Sequence, residues 1–375
     1  MVGDVFVSAD RCPSAGSRGV RSAFPRADNQ TRVFRLIDEA IARLDLNLSG
    51  LRVLTEAASG AYVVTPLIAA RAGAERVYAV ARSSLYGAAG DVIAYGREWA
   101  GAFGVGARIQ FVTGAPAEYA PGVDIVTNLG FVRPIDRELV SRLPRHAVVS
   151  LMWEPWEFRD ADIDAAACME FGIPVIGTNE SDERLRIFNY VGLLAVKLLL
   201  EAAVECARSR IVVVGSDPFG GATAKALAEL GAAVTRVALC ENLDVTVGPL
   251  VERADAVVLV EHKDRRQLVG EQEGIRPQRF SVSGCSLIHI AGTVDDDALA
   301  RAQVVKHPSR RVVPGHMAVG TDYVGPRPVI DLHTAGLKVG TDAVRSRLAG
   351  ASENDAIAVA EASGLGVRFN PGLFL

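Results

Sequence analysis

A glycine-containing turn is the first segment whose residues could do chemistry. It reads Val213-Val214-Gly215-Ser216-Asp217-Pro218-Phe219-Gly220-Gly221 and lies between a predicted strand and a predicted helix. In dinucleotide-binding turns, glycines let backbone N–H groups approach a pyrophosphate at the start of a helix. Here Asp217 replaces the second glycine, and a carboxylate about 4 Å from a phosphate charge costs about 4 kcal/mol at an effective dielectric of 20. Because Asp and Pro also suit a helix start, the segment could hold a nucleotide or simply cap its own helix.

Two further segments follow predicted strands and carry groups that bind anions or move protons. Residues 152–159 combine aromatic, acidic and basic side chains, namely Trp153, Glu154, Trp156, Glu157 and Arg159. Residues 128–133 contain Gly130 and Arg133. Ligands gather at the carboxyl ends of strands in open α/β sheets, so we expect both segments to line one crevice. The alternatives are a packed surface turn for residues 152–159 and a local ion pair between Arg133 and Asp136.

Histidines supply the remaining candidates for proton transfer. His333 follows an apolar run that we predict to be a strand, and it precedes a turn of small residues. His262 follows another predicted strand and could line a cofactor crevice, although surface solvation explains it equally well. No spacing of histidines with acids or cysteines indicates a metal site.

The elements that must position these residues alternate between apolar strands and helices. Such alternation predicts parallel sheets covered on both faces, hence an α/β fold. The pattern runs to about residue 178, passes through a long helix over about 183–207, and then begins again. We predict two Rossmann- or flavodoxin-like domains joined by that helix. The first comprises residues 1–183 with 336–375, and the second, of the dinucleotide-binding type, comprises residues 184–335.

Composition narrows the functional classes. The chain has 375 residues, 49% hydrophobic and 22% charged, so it can bury a large core. A net charge of −4 argues against general nucleic-acid binding. Five scattered cysteines without a CxxC spacing are typical of a reduced, cytoplasmic protein. The longest apolar stretch, residues 185–204, carries charges along one helical stripe, so we expect no membrane span.

Taken in order, five segments resemble the D-2-hydroxyacid dehydrogenases, the formate/glycerate dehydrogenase-like superfamily. They are residues 173–179, 215–220, 254–260, 288–299 and 329–336. The resemblance extends over about residues 123–348. Residues 288–297 are also similar to the corresponding strand of S-adenosylhomocysteine hydrolase.

The resemblance implies hydride transfer between NAD or NADP and a small 2-hydroxy or 2-keto acid in the inter-domain cleft. His333 matches the family's catalytic histidine. The cofactor would be held by Gly215, Ser216, Asp217, Pro218, Phe219, Gly220, Arg236, His262, Ala291 and Asp322. Family members commonly dimerise through the cofactor domain, so the resemblance also implies a homodimer.

The family's arginine and glutamate have no counterpart here. Ala291-Gly292-Thr293 contains no arginine, and residues 320–325 contain no glutamate. We therefore assign substitutes from the first domain, with Glu154 and Glu157 as catalytic carboxylates beside His333. The substrate would be bound by Gly130, Arg133, Trp153, Trp156 and Arg159. Three functions remain open: an NAD(P)-dependent oxidoreductase, a non-redox hydrolase or lyase that could retain a bound NAD, and a non-catalytic ligand-binding protein.

Residues 54–61, with 78–82, form an additional predicted βαβ unit. This unit faintly resembles the nucleotide turn of class I methyltransferases. Alanines replace the glycines, and Arg82 stands where an acidic ribose-binding residue would be. Structural packing is therefore the favoured interpretation of this unit.

Overall fold

The computed structural model describes residues 29–84, 87–153, 158–314 and 316–370. Two parallel α/β sheets organise them, which confirms the predicted fold class. The central strands, rich in Val, Ile and Leu, are buried on both faces, as a parallel sheet between two helical layers requires, whereas the edge strand Ala233–Val237 is largely exposed.

The first sheet has seven strands. In chain order they are β1 (Arg52–Glu56), β2 (Arg76–Val80), β3 (Ile109–Val112), β4 (Ile125–Thr127), β5 (Val148–Ser150), β6 (Val175–Thr178) and the late strand β14 (Gly366–Arg368). Their spatial order is β14-β6-β5-β4-β1-β2-β3, and only β14 is antiparallel. The strand order reverses between β1 and β4, which is the position where ligands bind in doubly wound sheets.

Helices cover both faces of this sheet. They are α1 (Gln30–Leu44), α2 (Val64–Arg71), α3 (Ala89–Ala102), α4 (Pro116–Tyr119), α5 (Arg137–Arg142) and α6 (Ala165–Phe171), together with the late helices α12 (Arg327–Leu348) and α13 (Glu353–Ala362). Helix α12 lies close against the sheet because Gly336 and Gly340 leave room for it. The Ser150 hydroxyl donates to the Gly336 carbonyl at 2.6 Å, and a Cβ on Gly340 would press on Ile125.

The second sheet has five parallel strands. They are β7 (Arg210–Val214), β8 (Ala233–Val237), β9 (Ala256–Val260), β11 (Ser286–Ala291) and β13 (Lys306–His307). The order β13-β11-β9-β7-β8 reverses between β7 and β9. A small two-stranded sheet, β10 (Gln267–Val269) with β12 (Thr293–Val294), lies apart from it. The helices of this half are α7 (Ile187–Glu201), α8 (Phe219–Glu229), α9 (Leu243–Val251), α10 (Gln278–Ser283) and α11 (Asp296–Arg301).

Two predictions about local structure were wrong. Residues 328–336 form no strand and turn, because they lie inside helix α12. A short apolar run has no decisive periodicity, and Pro328 suits the first turn of a helix. The connecting helix predicted over about 183–207 is present between the two sheets, but its predicted bounds were too wide, since α7 spans Ile187–Glu201; it packs on α8.

Candidate active-site cleft

The carboxyl ends of four neighbouring strands bring polar side chains together at one edge of the first sheet. Glu56 is the last residue of β1, Arg82 follows β2, Asn128 and Arg133 follow β4, and Trp153 follows β5. These strands lie next to one another in the order β5-β4-β1-β2. The cluster therefore surrounds the point where the strand order reverses.

Arg133 is the centre of this cluster. Its guanidinium forms a 2.6 Å ion pair with Asp162, and its Cζ lies 5.2 Å from the centre of the Trp153 ring. Arg159 lies 3.7 Å from the same Asp162 carboxylate. The local pair with Asp136 is not formed, because Asp136 caps α5 by accepting from the Leu139 N–H.

Three buried donors in the cluster have no acceptor within the part of the chain that the structure describes. They are Asn128 Nδ2, Arg133 Nε and Trp153 Nε1. The Asn128 carbonyl accepts from the Met152 N–H at 2.8 Å, which fixes the orientation of the amide. Buried donors left unsatisfied cost about 1–3 kcal/mol each, so native proteins pair them with chain, water or ligand.

Glu56 places a carboxyl group beside these donors. Its side chain is buried, and one oxygen accepts from the Phe131 N–H at 3.2 Å. Burial raises the pKa of Glu56, although the Phe131 N–H and the charge of Arg133 act in the opposite direction. Glu56 is thus a group that holds a proton more readily than an exposed glutamate.

His316 faces the same cluster from the segment that follows β13. The side chain is exposed, but the protein around it displaces part of its water. This loss of solvation and the charge of Arg159 lower the pKa of His316, while Asp162 acts to raise it. Residues from both halves of the chain therefore share one electrostatic environment. Glu56, Asp162 and His316 were not among the predicted site residues, because their proximity to Arg133 depends on the fold rather than on sequence spacing.

His333 lies in the interior of the first half and not at the end of a strand. Its Nδ1 is 2.6 Å from the Thr65 hydroxyl on α2, and the Tyr62 ring centre is 5.8 Å from the imidazole. Burial lowers the pKa of His333 to about 3. A histidine in this environment is neutral at physiological pH, which suits a hydrogen-bonding role better than that of a general base.

Asp322 lies near this histidine, at the second crossing of the chain between the sheets. A Cβ built on Gly320 would contact the Asp322 carboxylate, and it would lie 3.8 Å from the Tyr62 hydroxyl. Burial raises the pKa of Asp322. Asp322 therefore lies close to Tyr62, and its role in holding a cofactor stays a prediction.

The turn after β7 directs most of its backbone donors to the protein's own acceptors. The Ser216 N–H and hydroxyl donate to Glu261 at 2.8 and 2.6 Å. The Gly220 N–H donates to the Ser216 carbonyl at 2.8 Å, and the Gly221 N–H donates to the Asp217 carboxylate at 3.1 Å. Pro218 has no N–H to offer.

Two carboxylates occupy this turn. Asp217 pairs with Arg236 at 2.8 Å, and this contact lowers the pKa of Asp217. Burial acts to raise the pKa of Glu261, but hydrogen bonds from Ser216, Asp264 and Lys263 outweigh it and leave the pKa lowered. The residues present do not fit the pyrophosphate of NAD or NADP, because most of the backbone donors already have acceptors and the Asp217 carboxylate lies at the start of α8.

The other predicted cofactor residues surround this turn. The His262 ring stacks on Phe219 with centres 4.1 Å apart, and burial lowers the pKa of His262 to about 4. Ala291 ends β11 and bridges to Met317. Phe219 and Gly220 begin α8, where a Cβ on Gly220 would overlap the Gly215 carbonyl oxygen.

Some predictions lie beyond what the structure describes. Glu154, Trp156 and Glu157 are outside the described residues. Among the residues that are described, no group of three His, Cys, Asp or Glu side chains could hold a metal ion. Within the same ranges, no helix is both long and apolar enough to cross a membrane.

Solved structures resemble this chain in fold. The A chain of dipicolinate synthase from Bacillus subtilis matches with a TM-score of 0.52 and 13% identity, over 81% of this chain and 99% of that one. The pyruvate reductase of Chlamydomonas reinhardtii gives 0.48 and 17%, over 80% and 98%. The NAD+-bound 3-phosphoglycerate dehydrogenase of Entamoeba histolytica gives 0.44 and 11%, over 81% and 97%.

These likenesses concern the fold. No protein-family model matches the sequence, and no curated protein does. The fold implied by the resemblance to D-2-hydroxyacid dehydrogenases is confirmed by the match to the dipicolinate synthase chain, which covers nearly all of that protein. Identities of this size carry no assignment of activity or cofactor.

Proposed function

We propose that this chain is an enzyme for a small carboxylate substrate, bound at the carboxyl edge of the first sheet beside Asn128, Arg133 and Trp153. The observation that carries the proposal is the set of three buried donors without an acceptor among the described residues, on Asn128, Arg133 and Trp153. A substrate carboxylate supplies the acceptors that these donors lack.

The charge of the cluster supports an anionic substrate. Arg133 and Arg159 both lie against the Asp162 carboxylate, and Arg82 reaches the Arg133 carbonyl at 3.4 Å, so three guanidinium groups are close together. Arginine binds carboxylates in a planar, often bidentate geometry. Trp153 adds a flat apolar surface beside the guanidinium, which suits a small organic acid better than an inorganic ion.

Proton transfer is the chemistry that the surrounding groups support. The raised pKa of Glu56 favours its protonated form, which can donate a proton, and the lowered pKa of His316 favours the neutral imidazole, which can accept one. Glu154 and Glu157, which follow Trp153 in the sequence, remain predicted catalytic carboxylates. The proposed reaction is therefore acid–base chemistry on the bound acid.

A second candidate is an NAD(P)-dependent oxidoreductase acting on a 2-keto or 2-hydroxy acid. It is favoured by the close approach of β7 and α8, since neither Gly215 nor Gly220 has room for a side chain, as in nucleotide-binding turns. In that function His333 would transfer the proton, and its burial and lowered pKa argue against this role. Binding of NADPH to the native protein would favour this candidate.

Calorimetric titration with oxalate, pyruvate and 2-oxoglutarate tests the carboxylate proposal. We expect at least one acid to bind, and Arg133→Lys and Trp153→Phe to weaken binding about tenfold or more, which is about 1.4 kcal/mol. The matched control is Arg137→Lys, on an arginine of α5 that pairs with Glu170. If all three acids failed to bind, or if Arg137→Lys weakened binding as much as Arg133→Lys, the proposal would be wrong.

A further inference from the structure

The turn after β7 has the placement of a nucleotide-binding turn, yet its own side chains take the positions that a phosphate would take. We infer that it is a self-liganded anion site, in which the Asp217 carboxylate stands in for the phosphate of a nucleotide and the Asp217–Arg236 ion pair keeps the site closed. This inference concerns the second sheet and is independent of the carboxylate site on the first.

The carboxylate of Asp217 lies at the start of α8, where an anion is favoured by the helix dipole. It accepts from the Gly221 N–H at 3.1 Å, and a Cβ on Gly221 would collide with it. Helix N-termini bind phosphates with such N–H groups. Asp217 therefore satisfies the helix start from within the chain.

Arg236 holds the Asp217 carboxylate in this position. It is on β8, and its Nη2 contacts Asp217 at 2.8 Å. Its side chain also lies over the turn, because a Cβ on Gly220 would come within 3.1 Å of Arg236 Nε. If Asp217 were removed, the Arg236 guanidinium would remain beside the start of α8, and no carboxylate would occupy that helix start. A guanidinium beside a free helix N-terminus is an arrangement that binds a phosphate group.

Glu261 and Pro218 limit the number of N–H donors that a phosphate could use in an Asp217 variant. Glu261 is 1% exposed and accepts hydrogen bonds from the N–H and hydroxyl of Ser216. It does not occupy the N–H groups of the residues that begin α8. Pro218 lacks the N–H that a residue at this position would otherwise present to a phosphate. Removal of Asp217 should thus open the site in part, and replacement of Pro218 should add one donor.

The experiment is a fluorescence titration with NADPH and NADH of four proteins: the native chain, Asp217→Gly, the double variant Asp217→Gly/Pro218→Ala, and Asp264→Gly. Asp264 is the matched control, since it lies in the loop after β9 and pairs with Arg266 rather than with the turn. Thermal unfolding and pyruvate titration are recorded for each, so that misfolding and loss of the carboxylate site are recognised separately.

We expect Asp217→Gly to bind NADPH at least about tenfold more tightly than the native chain, and the double variant to bind more tightly still. Asp264→Gly should match the native chain. Micromolar binding by the native chain would overturn the inference, because the site would then be open. Folded variants that bind no better than the native chain would overturn it as well. If the Asp217 variants do not fold, Asp217→Asn, which keeps an acceptor for Gly221 and removes the charge, is titrated instead and should also gain affinity.

Discussion

Glu56 and Glu261 hold corresponding positions in the two sheets. Each lies at the carboxyl end of a strand beside the point where the strand order reverses, and each accepts an N–H from the loop of the neighbouring strand, Phe131 for Glu56 and Ser216 for Glu261. Glu261 has two further N–H donors, from Lys263 and Asp264. The richer donor set explains why the pKa of Glu261 is lowered while that of Glu56 is raised.

This contrast predicts opposite effects of the isosteric amide. In Glu261→Gln an amide NH2 would face N–H donors, so we expect a loss of about 1–3 kcal/mol in the free energy of unfolding. In Glu56→Gln the amide resembles the protonated acid, the form that burial favours, so we expect a smaller loss than in Glu261→Gln. Urea unfolding at pH 7 measures both, and equal losses would contradict the assigned environments.

The same glutamates give opposite pH dependences. Since the folded-state pKa of Glu261 is lowered, its stabilising contribution is present above the unfolded pKa and is lost as pH falls through the folded value. Since the folded-state pKa of Glu56 is raised, its contribution is present below the unfolded pKa and is lost as pH rises through the folded value. When the free energy of unfolding is plotted against pH, Glu261→Gln should lack the loss at low pH, and Glu56→Gln should lack the loss at high pH.

His333 predicts a third pH effect. Its pKa of about 3 in the folded protein lies below the usual value, so the unfolded chain binds more protons between about pH 3 and 6.5. The native protein therefore loses up to about 1.4 kcal/mol per pH unit through this residue as pH falls below 6.5. His333→Gln should show a shallower decline in urea unfolding between pH 6.5 and 4. An unchanged slope would mean that His333 is protonated in the folded state.

Single residues of the site could be predicted only where they lie in a segment that follows a strand. Arg133 and Trp153 were identified in this way, in the segments after β4 and β5. Asp162 was not identified, because its pairing with Arg133 joins residues separated by 29 positions. The burial of His333 beside Thr65, 268 positions away in the sequence, is a feature that no local pattern encodes.

At the scale of elements, the junction of β7 and α8 depends on glycine. The backbone conformation of Gly220 does not itself require glycine, since its φ is not in the left-handed region. The space does, because a Cβ added at this position would overlap the Gly215 carbonyl oxygen. Gly220→Ala should therefore lower stability by about 1–3 kcal/mol. The control is Gly101→Ala on α3, where no described atom lies within 4 Å of the Cβ position and where alanine should stabilise the helix slightly. Thermal unfolding compares the two, and a harmless Gly220→Ala would contradict the packing.

The strands of the two parallel sheets could be predicted from the sequence, because buried parallel strands form continuous apolar runs. The start of helix α12 was predicted to be a strand because residues 328–332 form an apolar run interrupted only by Asp331, and only the fold shows that the glycines of α12 lie against β4 and β5. The antiparallel strand β14 has three residues, too few for a periodic pattern.

At the scale of the whole molecule, the first sheet depends on residues from the far end of the sequence. Helix α12 lies on β4, β5 and β6, and β14 pairs with β6. We expect deletion of residues 351–375 to expose the β6 edge and part of α12, and to lower the unfolding temperature of the first half more than that of the second. Hydrogen exchange of β5 and β9 reports on the two halves separately, and equal loss of protection would contradict this prediction.

The position of β14 also has a consequence for biosynthesis. The strands of the second sheet have all been translated once His307 has emerged from the ribosome, whereas the first sheet lacks its seventh strand until Arg368 is made. The first sheet is therefore completed later than the second, although its first six strands are synthesised earlier. During that interval the edge of β6 that β14 will cover is open to strand pairing with other chains.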